Sequence, residues 1–222
     1  MNYAVITGDI IQSRLVADRG RLQQTILSVL DQVNQRFNEH IAAAFQITVG
    51  DEFQGLLKSP RMSPVLLSTL REMLYPMEVR LSVGVGDITT DLNRLVTHMD
   101  GPAFHLARRG IEEIAKQEKR ITAYVTNDEH ANKLLQALTI LSDMLLLDRT
   151  AKQWEAFKLY RQEKNLKKVA ELLSVKFQNI HKRLHAAHWD QLEQADKLLA
   201  EYLETIALTH KRVNESISPE KG

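Results

Sequence analysis

Tyr3-Ala4-Val5-Ile6-Thr7-Gly8-Asp9-Ile10 and Phe45-Gln46-Ile47-Thr48-Val49-Gly50-Asp51-Glu52-Phe53 are two versions of one pattern. In each, an apolar, β-branched run of strand length leads into Gly-Asp. An aspartate at the end of a buried strand loses hydration, a large penalty unless a cation or a hydrogen-bond donor meets it. Two such aspartates on strands that pair would offer hard oxygen ligands to a divalent metal. Metals held by carboxylates are a common means of handling nucleoside triphosphates. The opposing reading is a pair of ordinary Gly-Asp turns bonded to backbone amides. The shared order, buried-type strand and then Gly-Asp, favours metal at Asp9 and Asp51.

Around these turns the first part of the chain alternates strand-like and helix-like segments. Arg19–His40 places Leu22, Ile26, Val29, Leu30, Val33 and Phe37 at helical spacing. Phe45–Val49 and Phe53–Leu57 flank Gly50-Asp51-Glu52 as a hairpin. Pro60 and Pro64 bracket a loop and a helix start, and the helix continues over Val65–Leu74. Glu78–Gly86 is a strand, with Val79, Leu81, Val83 and Val85 alternating against Arg80, Ser82 and Gly84. Gly101-Pro102 opens a helix to about Lys116, because proline suits a first helical turn. Ile121–Val125 is a further strand, and Thr126-Asn127-Asp128-Glu129 caps a helix at roughly 128–146. From Thr150 on, Gln153–Glu163, Leu166–Leu173, Lys176–His188 and Asp190–Glu215 all read as helices.

The 222 residues include no cysteine, which excludes disulfides and thiolate metal sites and fits a reducing compartment. No apolar run is long enough to span a bilayer, and the start has no signal-peptide pattern, so a cytoplasmic protein with no membrane partner is expected. Residues 1–148 carry 15 Lys and Arg against 18 Asp and Glu, whereas residues 149–222 carry 14 against 10. The excess concentrates between Lys164 and Trp189, where six basic residues and three histidines face Glu171 alone. Such a face suits a polyanion, or is a solvated helical surface.

Asn165 to Leu184 has the spacing of a helix-turn-helix. Asn165 caps the first helix, Ala170 permits a close crossing, Val175 plugs the turn, and Ile180 and Leu184 face inward. Gln178, Asn179, His181, Lys182 and Arg183 then point outward as candidate DNA contacts. Ser174 stands where a glycine usually makes the turn. The alternative is a plain helical hairpin for packing or dimerisation, and the amphipathic helix after Asp190 is either core or a dimer seam.

Ala4-Val-Ile-Thr-Gly-Asp-Ile10, Gly50-Asp-Glu-Phe-Gln-Gly-Leu-Leu57, Arg80-Leu-Ser-Val-Gly-Val-Gly86 and Asp100-Gly-Pro-Ala-Phe-His-Leu-Ala-Arg108 resemble the SatD family over nearly the full length. The first part is also similar in motif order to the palm domain of class III nucleotidyl cyclases, and Val49-Gly-Asp-Glu-Phe53 looks like the diguanylate cyclase signature. This resemblance implies Asp9 and Asp51 as Mg2+ ligands and places Ile10, Ser13 and Arg14 at the phosphates. It puts His105 where those enzymes carry an asparagine and Arg109 where they carry the arginine of the transition state. It also implies that a second subunit completes the site.

The expected fold is therefore α+β: a ferredoxin-like, palm-type antiparallel sheet with helices on one face over 1–148. An all-α helix-turn-helix domain with a long C-terminal helix follows over 149–215, then a frayed tail at 216–222. The expected function is a regulator in which a Mg2+- and nucleotide-binding (or other phosphate-binding) palm is coupled to DNA binding, as a homodimer. The rival is a nucleotidyl cyclase or nucleotidyltransferase whose helical part serves dimerisation.

Overall fold

A computed structural model describes residues 2–217, with side chains through residue 209. Its sheet has five strands: β1 (Tyr3–Ile10), β2 (Ile41–Val49), β3 (Glu52–Leu57), β4 (Val79–Gly86) and β5 (Thr122–Val125). They lie in the order β2-β3-β1-β4-β5. β1 is antiparallel to both β3 and β4, and β2 and β3 form the expected hairpin.

Helix α1 (Arg19–Arg36) begins where the Asp18 side chain accepts from the Arg21 N–H, and it buries Leu22, Ile26, Val29, Leu30 and Val33. With α2 (Ser63–Leu74) it covers the face formed by Ala4, Ile6, Phe53, Leu57 and the four inward residues of β4. That much follows from the alternation of the strands.

Two features depart from the expected sheet. Helix α3 (Pro102–Ala115) packs on the opposite face, so helices cover both sides. Its partner row on β4 is the one that alternates with the valines. A β-carbon on Gly84 would lie 2.1 Å from the Ala103 carbonyl oxygen and 2.3 Å from the Ala107 nitrogen. Small residues there admit a helix backbone against the strand, where polar spacing suggested solvent. Because α3 carries the chain across that face, β5 returns parallel to β4, and the sheet is mixed.

Helix α4 (Glu129–Leu147) is capped by Asp128, and α5 (Ala151–Glu163) opens with a capping box between Thr150 and Gln153. Helices α6 (Leu166–Leu172) and α7 (Phe177–Ala186) pack on α5 around Trp154, Phe157, Val169, Ala170, Ile180 and Leu184. Asn165 caps α6 as expected, and Ser174 takes the left-handed conformation at φ 51° in the glycine's stead. The last helix, α8 (Trp189–Ile217), does not stand apart with them. Leu199, Leu203 and Ile206 belong to the same buried cluster as Ile6, Phe53 and Leu66. Arg61 and Glu204 pair across that junction. Of the tail expected at 216–222, residues 218–222 lie outside the described residues.

Gly84→Val should lower the unfolding free energy by about 3 kcal/mol, because a side chain there must push α3 off the sheet. Urea denaturation measures this. A loss under about 0.5 kcal/mol, the size of a neutral surface change, would contradict the α3–β4 packing.

Candidate functional site

The strand register brings the two Gly-Asp turns together. Gly8 of β1 lies opposite Phe53 of β3, so the β2–β3 turn two residues before Phe53 sits beside the end of β1. Gly50 makes that turn at φ 64°, a conformation that glycine adopts without strain. The turn delivers the Asp51 carboxylate to the Ile10 N–H, which donates to Oδ2 at 3.2 Å. Asp9 approaches from the neighbouring residue, close enough for the Asp51 charge to act on its carboxyl.

On its other side β1 pairs with β4, with Asp9 opposite Arg80. The guanidinium Nη1 lies 3.3 Å from Asp9 Oδ2, and both side chains are partly covered. Burial raises the Asp9 carboxyl above its ordinary value of 3.8, the Asp51 charge raises it further, and Arg80 lowers it in opposition. Two carboxylates against one guanidinium leave a negative charge without a counterpart. An oxygen-only donor pair with that surplus fits Mg2+, which is usually held by one or two carboxylates together with waters and substrate phosphates. Among the described residues no group of three or more His, Cys, Asp or Glu gathers here or elsewhere, so any further ligands would come from backbone, water or guest oxygens.

A 210 Å³ cleft opens beside Asp51, walled by Gly50 and by Arg19, Gly20 and Gln23 from the first turns of α1. The expected phosphate cradle is arranged differently. The Ile10 N–H is engaged by Asp51, and the Ile11 N–H donates to the Glu78 carbonyl oxygen at 2.9 Å. Ser13 is buried in a short 3-10 turn, and Arg14 is exposed on it.

The residues of α3 do not join this group. His105 is exposed, 3.3 Å from Asp100. Arg109 is exposed, 3.7 Å from Glu113, and borders a separate cleft against β5 and α4 with Gln117 and Asn132. On α7, Gln178, Asn179, His181 and Lys182 are exposed. Arg183 is half-buried, with its Nη1 3.6 Å from Glu155 of α5. The β1–β4 register, rather than any local spacing, gives Arg80 its acid, Asp9.

The mixed five-stranded sheet with helices on both faces makes this an α+β protein. A sequence model of the SatD family matches residues 3–194, and the chain belongs to that family. No curated protein matches it. Among solved structures, half of the chain is similar to 73% of a dimeric guanylyl cyclase domain from the rhodopsin–cyclase fusion of the aquatic fungus Blastocladiella emersonii, at 16% identity and a TM-score of 0.40. A bacterial light-regulated adenylyl cyclase matches at 13% identity and 0.36, over 55% of this chain and 74% of that one. The adenylyl cyclase CyaB of P. aeruginosa matches at 16% identity and 0.35, over 50% and 71%. No described helix is long and apolar enough to cross a membrane.

Without metal, the Asp9 carboxyl holds its proton more tightly folded than unfolded. Its contribution to stability is complete below the unfolded value near 3.8 and is lost as pH rises through the higher folded value. At pH 7 Asp51→Asn relieves the repulsion, so the metal-free variant should melt no lower than the parent. Mn2+ or Mg2+ should raise the melting temperature of the parent and not that of the variant. Scanning fluorimetry with and without metal checks both, and an equal rise in the two proteins would contradict a site at this pair.

Proposed function

We propose that the chain binds a nucleoside triphosphate with Mg2+ at Asp9 and Asp51 and acts as a nucleotidyl cyclase or nucleotidyltransferase. The observation that carries this reading is the convergence of the Asp9 carboxylate, at the end of β1, with that of Asp51 in the β2–β3 turn, which borders a cleft open to a guest. Mg2+ bound there supplies charge neutralisation at the phosphate oxygens. The chain's own residues do the positioning. Arg80 holds Asp9 and the Ile10 N–H holds Asp51, so both acceptors are fixed before a guest arrives. Arg19 and Gln23 line the cleft beside Asp51 and offer donors to a phosphate chain.

Either reaction forms a bond at the α-phosphorus and releases pyrophosphate. Arg109 suits neutralisation of that leaving group, but it lies away from its own chain's acidic pair. In this reading a second copy brings Arg109 and His105 to the site, as the cyclase resemblance implies, and the protein works as a homodimer. The regulator reading, with α7 contacting DNA, has less support. Arg183, one of its five expected contacts, faces Glu155. The α5–α7 unit and α8 serve instead as a helical scaffold beside the palm.

Incubation with ATP or GTP and Mg2+ or Mn2+ should release pyrophosphate, and Asp9→Ala or Asp51→Ala should reduce the rate on the order of 100-fold. Calorimetry with each nucleotide runs alongside. Metal-dependent binding without turnover would leave a nucleotide sensor. No binding by the folded protein would contradict the reading.

A further inference from the structure

A second cavity shares no lining residue with the cleft beside Asp51. It opens between α2, α4 and β5 of the sheet layer and helices α5 and α8, with a volume of 420 Å³. Its apolar wall includes Leu67, Leu138, Leu146, Leu192 and Leu199. Into this apolar space the chain places arginines. Arg71 is 8% exposed and Arg149 9%, and both line the cavity together with Arg161.

Their partners are incomplete. Arg161 pairs with Glu72 at 3.0 Å, and the neighbouring Arg120 pairs with the fully buried Asp143 at 3.3 Å. Arg71 and Arg149 make no ion pair with a carboxylate among the described residues. Arg71 Nη2 donates to the Ile121 carbonyl oxygen and to Thr122 Oγ1, but its buried Nε has no hydrogen-bond partner. Arg149 donates twice to the Ala187 carbonyl oxygen and stacks on Phe157 and Trp154, with centroids at 4.5 and 5.0 Å.

Asp196 of α8 lines the cavity and acts on both guanidinium groups without ion-pairing to either, and the buried Asp143 acts on Arg71 as well. Burial holds the Asp196 carboxyl up at about 6 even though Arg71, Arg161 and Arg149 all pull it down. Burial likewise draws Arg149 down to about 10. Arg71 and Arg149 are thus buried with no carboxylate in ion-pair contact, and Asp143 and Asp196 act on them only from longer range. A buried charge this poorly matched is strongly destabilising, and a bound counter-ion removes the mismatch.

We propose that this cavity is a binding site for an amphipathic organic acid, whose carboxylate meets Arg71 and Arg149 and whose apolar body fills the leucine-lined space. The volume is that of small-molecule sites, which combine an apolar wall with a few convergent polar groups. A phosphate dianion costs more to desolvate in this apolar space than a carboxylate monoanion, which favours the carboxylate. Guanidinium groups match a carboxylate's geometry, and apolar surroundings strengthen the pairing. The site does not depend on nucleotide binding at Asp9 and Asp51.

The probes are sodium octanoate, octyl phosphate and 1-octanol, titrated calorimetrically into the full chain at pH 7.5. Octanoate should bind saturably at one per chain, with octanol at least 10-fold weaker and octyl phosphate weaker than octanoate. Asp196→Asn removes the competing carboxylate and should tighten octanoate at least threefold. Arg149→Gln should weaken it at least 10-fold. Because Arg149 also anchors Ala187, Ser142→Phe is the second variant: it occupies the cavity, leaves every arginine in place, and should abolish binding while circular dichroism shows a folded chain. The proposal is overturned if neither the parent nor Asp196→Asn binds octanoate. Equal affinity for octanol, tighter binding of octyl phosphate, or unchanged octanoate binding by folded Ser142→Phe would overturn it as well.

Discussion

The register of β1 between β3 and β4 is the constraint on which the site depends. Gly8 opposite Phe53 fixes where the β2–β3 turn ends, and Asp9 opposite Arg80 fixes what lies on the other side. A slip of one residue would turn Asp9 into the α1–α2 core and carry Ile10 out of it. The core prevents that slip. Ala4, Ile6 and Ile10 point into the large cluster, and Phe53 fills the space above Gly8, where a β-carbon would lie 2.1 Å from its ring. Hydrophobic burial thus sets the position of two charged groups that it does not itself contact. The carboxylate–carboxylate–guanidinium row, Asp51, Asp9 and Arg80, is a consequence of packing on the opposite face.

The same logic extends to the far face and the C-terminal helices. Gly84 lets α3 lie against β4 at backbone distance, and that crossover sets β5 parallel at the edge. β5 then carries Thr122, which accepts from Arg71 and donates to Asp143. The polar network behind the sheet and the cavity beside it both hang on this one short strand. Helix α8 closes the cavity from above, with Asp196 lining it and Leu199 and Leu203 in the core. The helical part is therefore tied to the palm by burial and by charge.

Much of this was legible in the sequence. The strands, the hairpin with Gly50-Asp51 at its tip, the caps at Asp128 and Asn165 and the inward set Ala170, Ile180 and Leu184 all leave local signatures. The matching Gly-Asp pattern singled out Asp9 and Asp51, but the register that brings them together is not local. Other features were not legible because their cause is not local. Alternation in β4 shows two faces but does not say that glycines on the second face admit a helix. Arg183 reads as an outward cation until α5 is seen to lie beside it. Arg71, Arg149, Arg161 and Asp196 come from three separate helices and one connecting turn, and no spacing links them. The engagement of the Ile10 N–H by Asp51 likewise depends on a contact 41 residues apart.

The acidic pair is most directly tested by anomalous diffraction from crystals soaked in Mn2+. The account predicts a peak bonded to oxygens of both Asp9 and Asp51, with Arg80 still beside Asp9. Crystals that diffract well but show no peak there, with the two carboxylates turned apart or closed onto Arg80 alone, would contradict it.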